Sequence, residues 1–174
     1  MKSWPLALSL LLSLAACGDT PRNLLGQIRV ADPLRIVARA APFEFGETER
    51  LRGRPAEAAD AAARIEEFAN AAETDPLWTH PRNPTLLPQL QMARSEFRQA
   101  LGISPRVPNT VAITALDGAA RALYRYNTPA AEVALAPIGG GTVLARLSNL
   151  PRLPRVEDAS QALAIEANTS QFGR

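Results

Sequence analysis

Alanines at helical spacing run through the middle of the chain, and this pattern constrains the fold more than any other feature. Between residues 55 and 72, small and apolar side chains recur at alternating intervals of four and three, at Ala58, Ala62, Ile65, Ala69 and Ala72. This spacing places them on one face of an α-helix. Alanine has the highest helix propensity of all residues, and its short side chain lets a second helix pack closely. The sequence therefore predicts an all-α fold, an Ala-rich bundle of about five to six helices.

A second strong helical pattern covers residues 86–101, with Thr85 as the expected N-cap. Gly102 follows the last turn, where glycine commonly ends a helix. We expect this helix and the helix over 55–72 to form an antiparallel hairpin. Trp78 lies in the connecting loop and is expected to pack over the ends of the two helices.

Residues 28–45 leave two alternatives open. Asp32 and Pro33 suit the start of a helix at Leu34, and Pro42 would end it. The segment 43–45 instead alternates apolar and charged side chains, which is typical of a short extended piece.

Three short helices are predicted after residue 127, over 128–136, 142–149 and 157–167. Thr128 is the expected N-cap of the first of them. Pro154 is expected in a rigid linker that precedes the last one.

Residues 109–126 are compatible with either a helix or a hairpin. The helix would be capped by Asn109 or Thr110 and would bury a stripe that ends at Tyr126. The hairpin would turn at Asp117-Gly118, a dipeptide typical of tight β-turns, and would make the fold α+β. We favour the helix because its apolar stripe has fewer exceptions than the strand alternation.

The beginning of the chain has the order of a secretory signal. A charged start at Lys2 precedes an apolar run over 4–14, and Leu14-Ala15-Ala16-Cys17 follows. The apolar run is too short for a permanent membrane helix, which needs about 20 residues. The tetrapeptide that ends at Cys17 resembles the lipobox of bacterial lipoproteins. The resemblance implies that Cys17 is lipidated and that residues 1–16 are removed as the signal peptide.

The same resemblance implies where the mature chain is held. Several acyl chains on Cys17 anchor a domain stably, and residues 17–30 have the glycine and proline content of a flexible tether. In enteric lipoproteins an aspartate directly after the cysteine retains the protein in the inner membrane, and here that residue is Gly18. We therefore expect the periplasmic face of the outer membrane. A single helical domain is expected over residues 31–170.

Composition excludes several kinds of chemistry. Cys17 is the only cysteine, so a disulfide fold, thiol catalysis and a cysteine metal site are excluded once it is lipidated. Lys2 is the only lysine, so the mature chain lacks a Schiff-base or P-loop lysine. No metal or cofactor motif is present, and we expect neither. No basic run supports binding to nucleic acid.

The candidate interaction residues are few. His80, the only histidine, lies in a proline-bounded loop and is either an exposed side chain or a pH-sensitive contact. Trp78 would become an interface anchor if it were exposed. The remaining candidates are arginines that would contact anionic groups of the envelope or an acidic partner: Arg50, Arg52, Arg54, Arg121 and Arg125.

Three functions are compatible with these observations. We favour a non-enzymatic lipoprotein that acts as an interaction or scaffold module of the cell envelope, bound to a protein or to an anionic envelope component. The alternative is a carrier or sensor for a small apolar ligand, which predicts a pocket lined by Leu and Phe. An envelope enzyme would require His80 to converge with carboxylates such as Glu73, Asp75 and Glu96.

Overall fold

The computed structural model describes residues 32–169, which form helices and no strand. The all-α fold is confirmed, with seven α-helices in the described range rather than five to six. They are α1 (Pro33–Phe45), α2 (Pro55–Thr74), α3 (Leu86–Leu101), α4 (Asn109–Tyr124), α5 (Thr128–Leu135), α6 (Gly140–Ser148) and α7 (Pro154–Thr169). Short 3₁₀ turns cover Thr48–Leu51 and Ala136–Ile138. The expectations for residues 1–16, Cys17 and 17–30 lie outside the described residues.

The alanine stripe lies on the central helix of the bundle. All five residues of the stripe in α2 are buried, and so are alanines outside the stripe, such as Ala59 and Ala63. The helix packs against α3, α4 and α6. A helix with small apolar residues on most of its surface is buried on most sides, which explains why α2 lies inside the bundle.

The predicted hairpin of α2 and α3 is confirmed, and a buried ion pair joins its two helices. Both oxygens of Glu66 accept hydrogen bonds from the guanidinium of Arg98, and these residues are only 1 % and 7 % exposed. The other Arg98 donors bond the carbonyls of Pro105 and Val107 and the side chain of Asn109. The Glu66–Arg98 pair is therefore fully hydrogen-bonded, as a buried pair must be if it is not to destabilise the fold.

Residues 109–124 form a helix, so the hairpin alternative at Asp117-Gly118 is wrong. The face that carries Ala112, Leu116 and Ala119 is buried. A Cβ placed on Gly118 would lie 3.3 Å from the Cβ of Ala134 in α5. Glycine is therefore used here for the close approach of two helices rather than for a turn.

Two prolines belong to helices, whereas Pro42 was expected to end a helix and Pro154 to lie in a linker. Pro42 lies inside α1, which continues to Phe45 because Ala41 and Phe45 are fully buried and hold the last turn in place. The same helix shows that an extended piece over 43–45 is wrong. Pro154 begins α7 instead of forming a linker, since proline fits the first helical position.

Several N-caps differ from the expected ones. The helix over 109–124 begins after Pro108, and the amide of Asn109 is used by Arg98 instead of capping. Asn127 caps α5 by accepting from the N–H of Ala130, one residue before the predicted cap. The α3 boundaries are as predicted, and Gly102 adopts the left-handed conformation (φ 71°).

Within the described residues, no single helix has the length and apolar character needed to cross a membrane. Only the bent combination of Thr128–Ile138 with Gly140–Ser148, at 114° to each other, meets the length and composition criteria together.

Candidate functional site

Trp78 is part of the core, so the condition for an interface anchor is not met. Its side chain is 1 % exposed, and its Nε1 donates to Asp32 at 3.0 Å. Its ring lies 5.5 Å from that of Phe68, and the guanidinium of Arg35 lies over it at 5.6 Å. Trp78 therefore fixes the loop between α2 and α3 to the beginning of α1.

His80 lies exposed in that loop, with its Nδ1 3.1 Å from the hydroxyl of Thr79. The loop is held by Glu166 of α7, whose two carboxylate oxygens accept from the backbone N–H groups of Arg82 and Asn83, each at 3.0 Å. These contacts order the loop, and no carboxylate of residues 32–169 is hydrogen-bonded to the imidazole.

The carboxylates proposed for an enzyme have structural partners instead. Glu73 accepts from Arg94, at 2.7 Å, and from Gln91, and the bonds from Arg94 lower the pKa of Glu73 below its ordinary value. Asp75 accepts from the N–H of Leu77. Glu96 of α3 accepts from the first N–H groups of α7. The structure therefore gives each of these groups a stabilising role and does not bring them together.

The candidate arginines are all exposed, and three of them pair with nearby carboxylates. The pairs are Arg50 with Glu47 at 3.3 Å, Arg54 with Glu57 at 3.1 Å, and Arg121 with Asp117 at 2.7 Å. Arg52 and Arg125 donate to backbone carbonyls, of Leu150 and Arg121 respectively. Arg50 and Arg54 line a common depression in the surface.

That depression belongs to a surface that the sequence did not predict, which we call the aromatic groove. Three exposed aromatic rings mark it: Phe43 is 82 % exposed, Tyr124 53 % and Tyr126 96 %. Its first part, of about 390 Å³, is lined by residues of α1, α2 and α4 that include Phe43, Glu44, Asp60 and Tyr124. Its second part, of about 590 Å³, contains Tyr126. Arg54, Glu57 and Tyr124 line both parts, so the groove is continuous.

Tyr126 has an unusual backbone. It is the only non-glycine residue with positive φ in the described range, at 56°. Its N–H donates to the carbonyl of Leu123, and that of Asn127 donates to Ala122, both at 2.9 Å, which closes α4 in a Schellman motif. Glycine is usual at this position because a left-handed backbone costs other residues about 1–2 kcal/mol. A fully exposed ring offers almost no packing in return, so fold stability does not explain Tyr126.

The groove is lined by three carboxylates, Glu44, Glu57 and Asp60, and by two guanidinium groups, Arg50 and Arg54. Partial burial, and next the negative charge of Asp60, raise the pKa of Glu44. The pKa of Tyr124 is raised as well, first by partial burial and next by the negative charges of Asp60, Glu57 and Glu44. Among the described residues, no group of three His, Cys, Asp or Glu side chains is placed to hold a metal ion.

Two residues of this groove, Tyr126 and Phe43, were assigned other roles by the sequence patterns. Tyr126 was expected in the buried stripe of the helix over 109–126, but α4 ends at Tyr124 and the helical period does not extend to it. Phe43 was placed beyond the end of α1, because Pro42 was expected to end that helix, and so it was not recognised as part of a helix surface. The alternative function, a carrier of apolar ligands, predicts a pocket lined by Leu and Phe, whereas charged side chains such as Glu44, Arg54 and Asp60 also line this groove.

Comparison of the chain with protein-family models, with curated proteins and with solved structures found no match.

Proposed function

We propose that the chain is a lipid-anchored envelope protein that acts as a non-enzymatic interaction module and binds a protein partner through the aromatic groove. The observation that carries the proposal is the exposure of Phe43, Tyr124 and Tyr126 around one continuous depression. Exposed aromatic side chains are enriched where proteins bind one another, because each ring buries a large area with little loss of side-chain entropy.

The backbone of Tyr126 supports the same proposal. A residue that costs stability while its ring is 96 % exposed is typical of a functional position. Burial of its ring in a partner would supply the contact that the isolated chain lacks.

The lipid anchor would confine this groove to the envelope. The resemblance of Leu14-Ala15-Ala16-Cys17 to a lipobox is the support for the anchor. A tethered domain meets membrane-associated partners at a high effective concentration, so a groove of modest affinity suffices for binding.

The anchor is tested by metabolic labelling with palmitate in the native host, comparing the wild-type chain with Cys17→Ala. Because Cys17 is the only cysteine, no other thiol can carry the label. We expect label and membrane association in the wild type and loss of both in the variant. Membrane association that is unchanged in Cys17→Ala would contradict the anchor.

The groove is tested by photo-crosslinking in the intact envelope, with a photoreactive residue in place of Phe43. The matched control carries the same residue in place of Ile165, which is 60 % exposed on α7. We expect one dominant protein adduct from the groove position only, with a lower yield when Tyr126→Gly is added. Identical adducts from both positions, or a yield that Tyr126→Gly leaves unchanged, would overturn the proposal.

A further inference from the structure

We propose that the segment bound in the aromatic groove is basic, with a lysine or arginine side chain that lies over the ring of Tyr124 and next to the carboxylate of Glu44. This inference rests on the proposed function, because it specifies the chemistry of the partner that the groove binds. It differs from the anionic partner that the sequence led us to expect.

The first argument is the charge that the groove leaves uncompensated. Arg50 and Arg54 line the groove, but each is already paired with a glutamate. Asp60 lies 3.6 Å from Arg64, which makes a shorter contact of 2.9 Å with Glu67. The groove and its ion-pair partners thus contain more carboxylates than guanidinium groups.

Glu44 is the clearest part of this excess. No ion pair within 4.0 Å involves Glu44 among the described residues, whereas Glu57 and Asp60 each have one. The negative charge of Asp60 acts on Glu44 more strongly than the opposing positive charge of Arg64. An approaching cation would be attracted to this position, and an anionic headgroup or an acidic segment would be repelled.

The second argument is the geometry of the rings. Tyr124 lines both parts of the groove, half exposed, and Phe43 stands beside Glu44 at the rim of the first part. Aromatic faces attract cations, and a neighbouring carboxylate strengthens the attraction. A lysine or arginine satisfies both features, because its aliphatic stem packs on a ring while its charged end reaches a carboxylate.

The test measures binding of a short synthetic peptide, with lysines spaced by glycine and serine, to the full chain captured through a C-terminal tag. The reference ligand is the same peptide with every lysine acetylated. We expect the acetylated peptide to bind at least about tenfold more weakly, and the binding of the lysine peptide to fall at high salt. Equal binding of the two peptides, or no binding of either, would overturn the inference.

Two variants locate the binding. Tyr124→Ala removes the ring, and Glu44→Gln removes the charge at nearly constant size. Asp158→Asn, at an exposed carboxylate on α7, is the matched control. We expect about threefold to thirtyfold weaker binding for Tyr124→Ala, a loss in the same direction for Glu44→Gln, and no change for the control. Equal effects of Glu44→Gln and Asp158→Asn would place the binding outside the groove and overturn the inference.

Carbodiimide coupling then maps the contact directly. It joins a carboxylate to a peptide lysine, and the chain itself has no lysine beyond Lys2 to compete. We expect coupling at Glu44 or Asp60, and coupling spread evenly over the exposed carboxylates would contradict the inference.

The two proposals can fail separately. If an envelope partner is crosslinked at position 43 and the yield does not change with Glu44→Gln, the proposal of a basic segment is refuted. The proposal that the chain is an interaction module is then still supported. If the lysine peptide binds selectively but no envelope partner is crosslinked, the groove's preference for basic groups is supported and the interaction module is refuted.

Discussion

The α2–α3 interface and the aromatic groove use the same kinds of side chain in opposite ways. At the interface, Glu66 and Arg98 are buried, and every Arg98 donor has an acceptor. In the groove, Glu44 has no ion pair with any residue of 32–169, and the rings of Tyr124 and Tyr126 are in contact with solvent. The comparison distinguishes charged groups that are used within the fold from charged and aromatic groups that remain exposed and can contact a partner.

The largest expected effect comes from removing one member of the buried ion pair. Arg98→Leu would leave the Glu66 carboxylate buried without its partner, and we expect a loss of about 3–5 kcal/mol in the free energy of unfolding. The matched groove variant Arg54→Leu, in which the wild-type side chain is 62 % exposed, should change this value by less than about 0.5 kcal/mol. Chemical denaturation of the full chain measures both.

The double variant Glu66→Leu with Arg98→Leu sharpens this result. With no charge left unpaired, it should be more stable than Arg98→Leu alone. Equal losses for Arg98→Leu and Arg54→Leu would break the distinction between the two regions.

The second prediction is an increase in the free energy of unfolding rather than a loss. Tyr126→Gly should raise the free energy of unfolding by about 1 kcal/mol, because glycine adopts the left-handed conformation without the steric penalty and no packing is lost. The same variant should reduce crosslinking to the envelope partner. Destabilisation measured by chemical denaturation would show that the exposed ring stabilises the fold after all.

The smallest effect is a contrast in pH dependence between Glu73, at the α2–α3 interface, and Glu44, in the groove. The pKa of Glu73 is lowered in the folded chain, so its contribution is present above the ordinary glutamate value of 4.5 and is lost as the pH falls. The pKa of Glu44 is raised, so its ionisation destabilises the folded chain as the pH rises above 4.5.

We therefore expect Glu73→Gln to destabilise the chain at neutral pH and Glu44→Gln to stabilise it. Both differences should shrink when unfolding is measured in acid, below the ordinary glutamate value. Effects of the same sign at neutral pH would contradict the assignment of the two carboxylates to different roles.

Sequence reasoning succeeded where the determining residues are close together in the chain. The boundaries of α3 were predicted correctly because Gly102 and the apolar face from Leu86 to Leu101 are local signals. The start of α7 was missed because its first N–H groups are bonded by Glu96, which lies about sixty residues earlier. No local pattern reveals a cap of that kind.

The groove was missed for a related reason. It combines the end of α1, the beginning of α2 and the end of α4, so its residues meet only after the bundle has folded. The individual signals pointed elsewhere, since Pro42 suggested a helix end and Tyr126 completed an apparent buried stripe. Composition drew attention to the arginines as candidate interaction residues and not to the aromatic rings of the groove. The structure pairs three of those arginines with carboxylates.

The packing of α1 against α7 has a mechanical consequence. If Cys17 is fixed to a membrane, a pull on a bound partner is transmitted to the domain at Asp32, whose carboxylate is bonded to Trp78 and to the first turn of α1. From Asp32 the load passes both to the packing of α1 against α7 and, through Trp78, to the loop between α2 and α3. Two separate attachments, to α7 and to Trp78, would therefore resist a pull on the anchored end of α1.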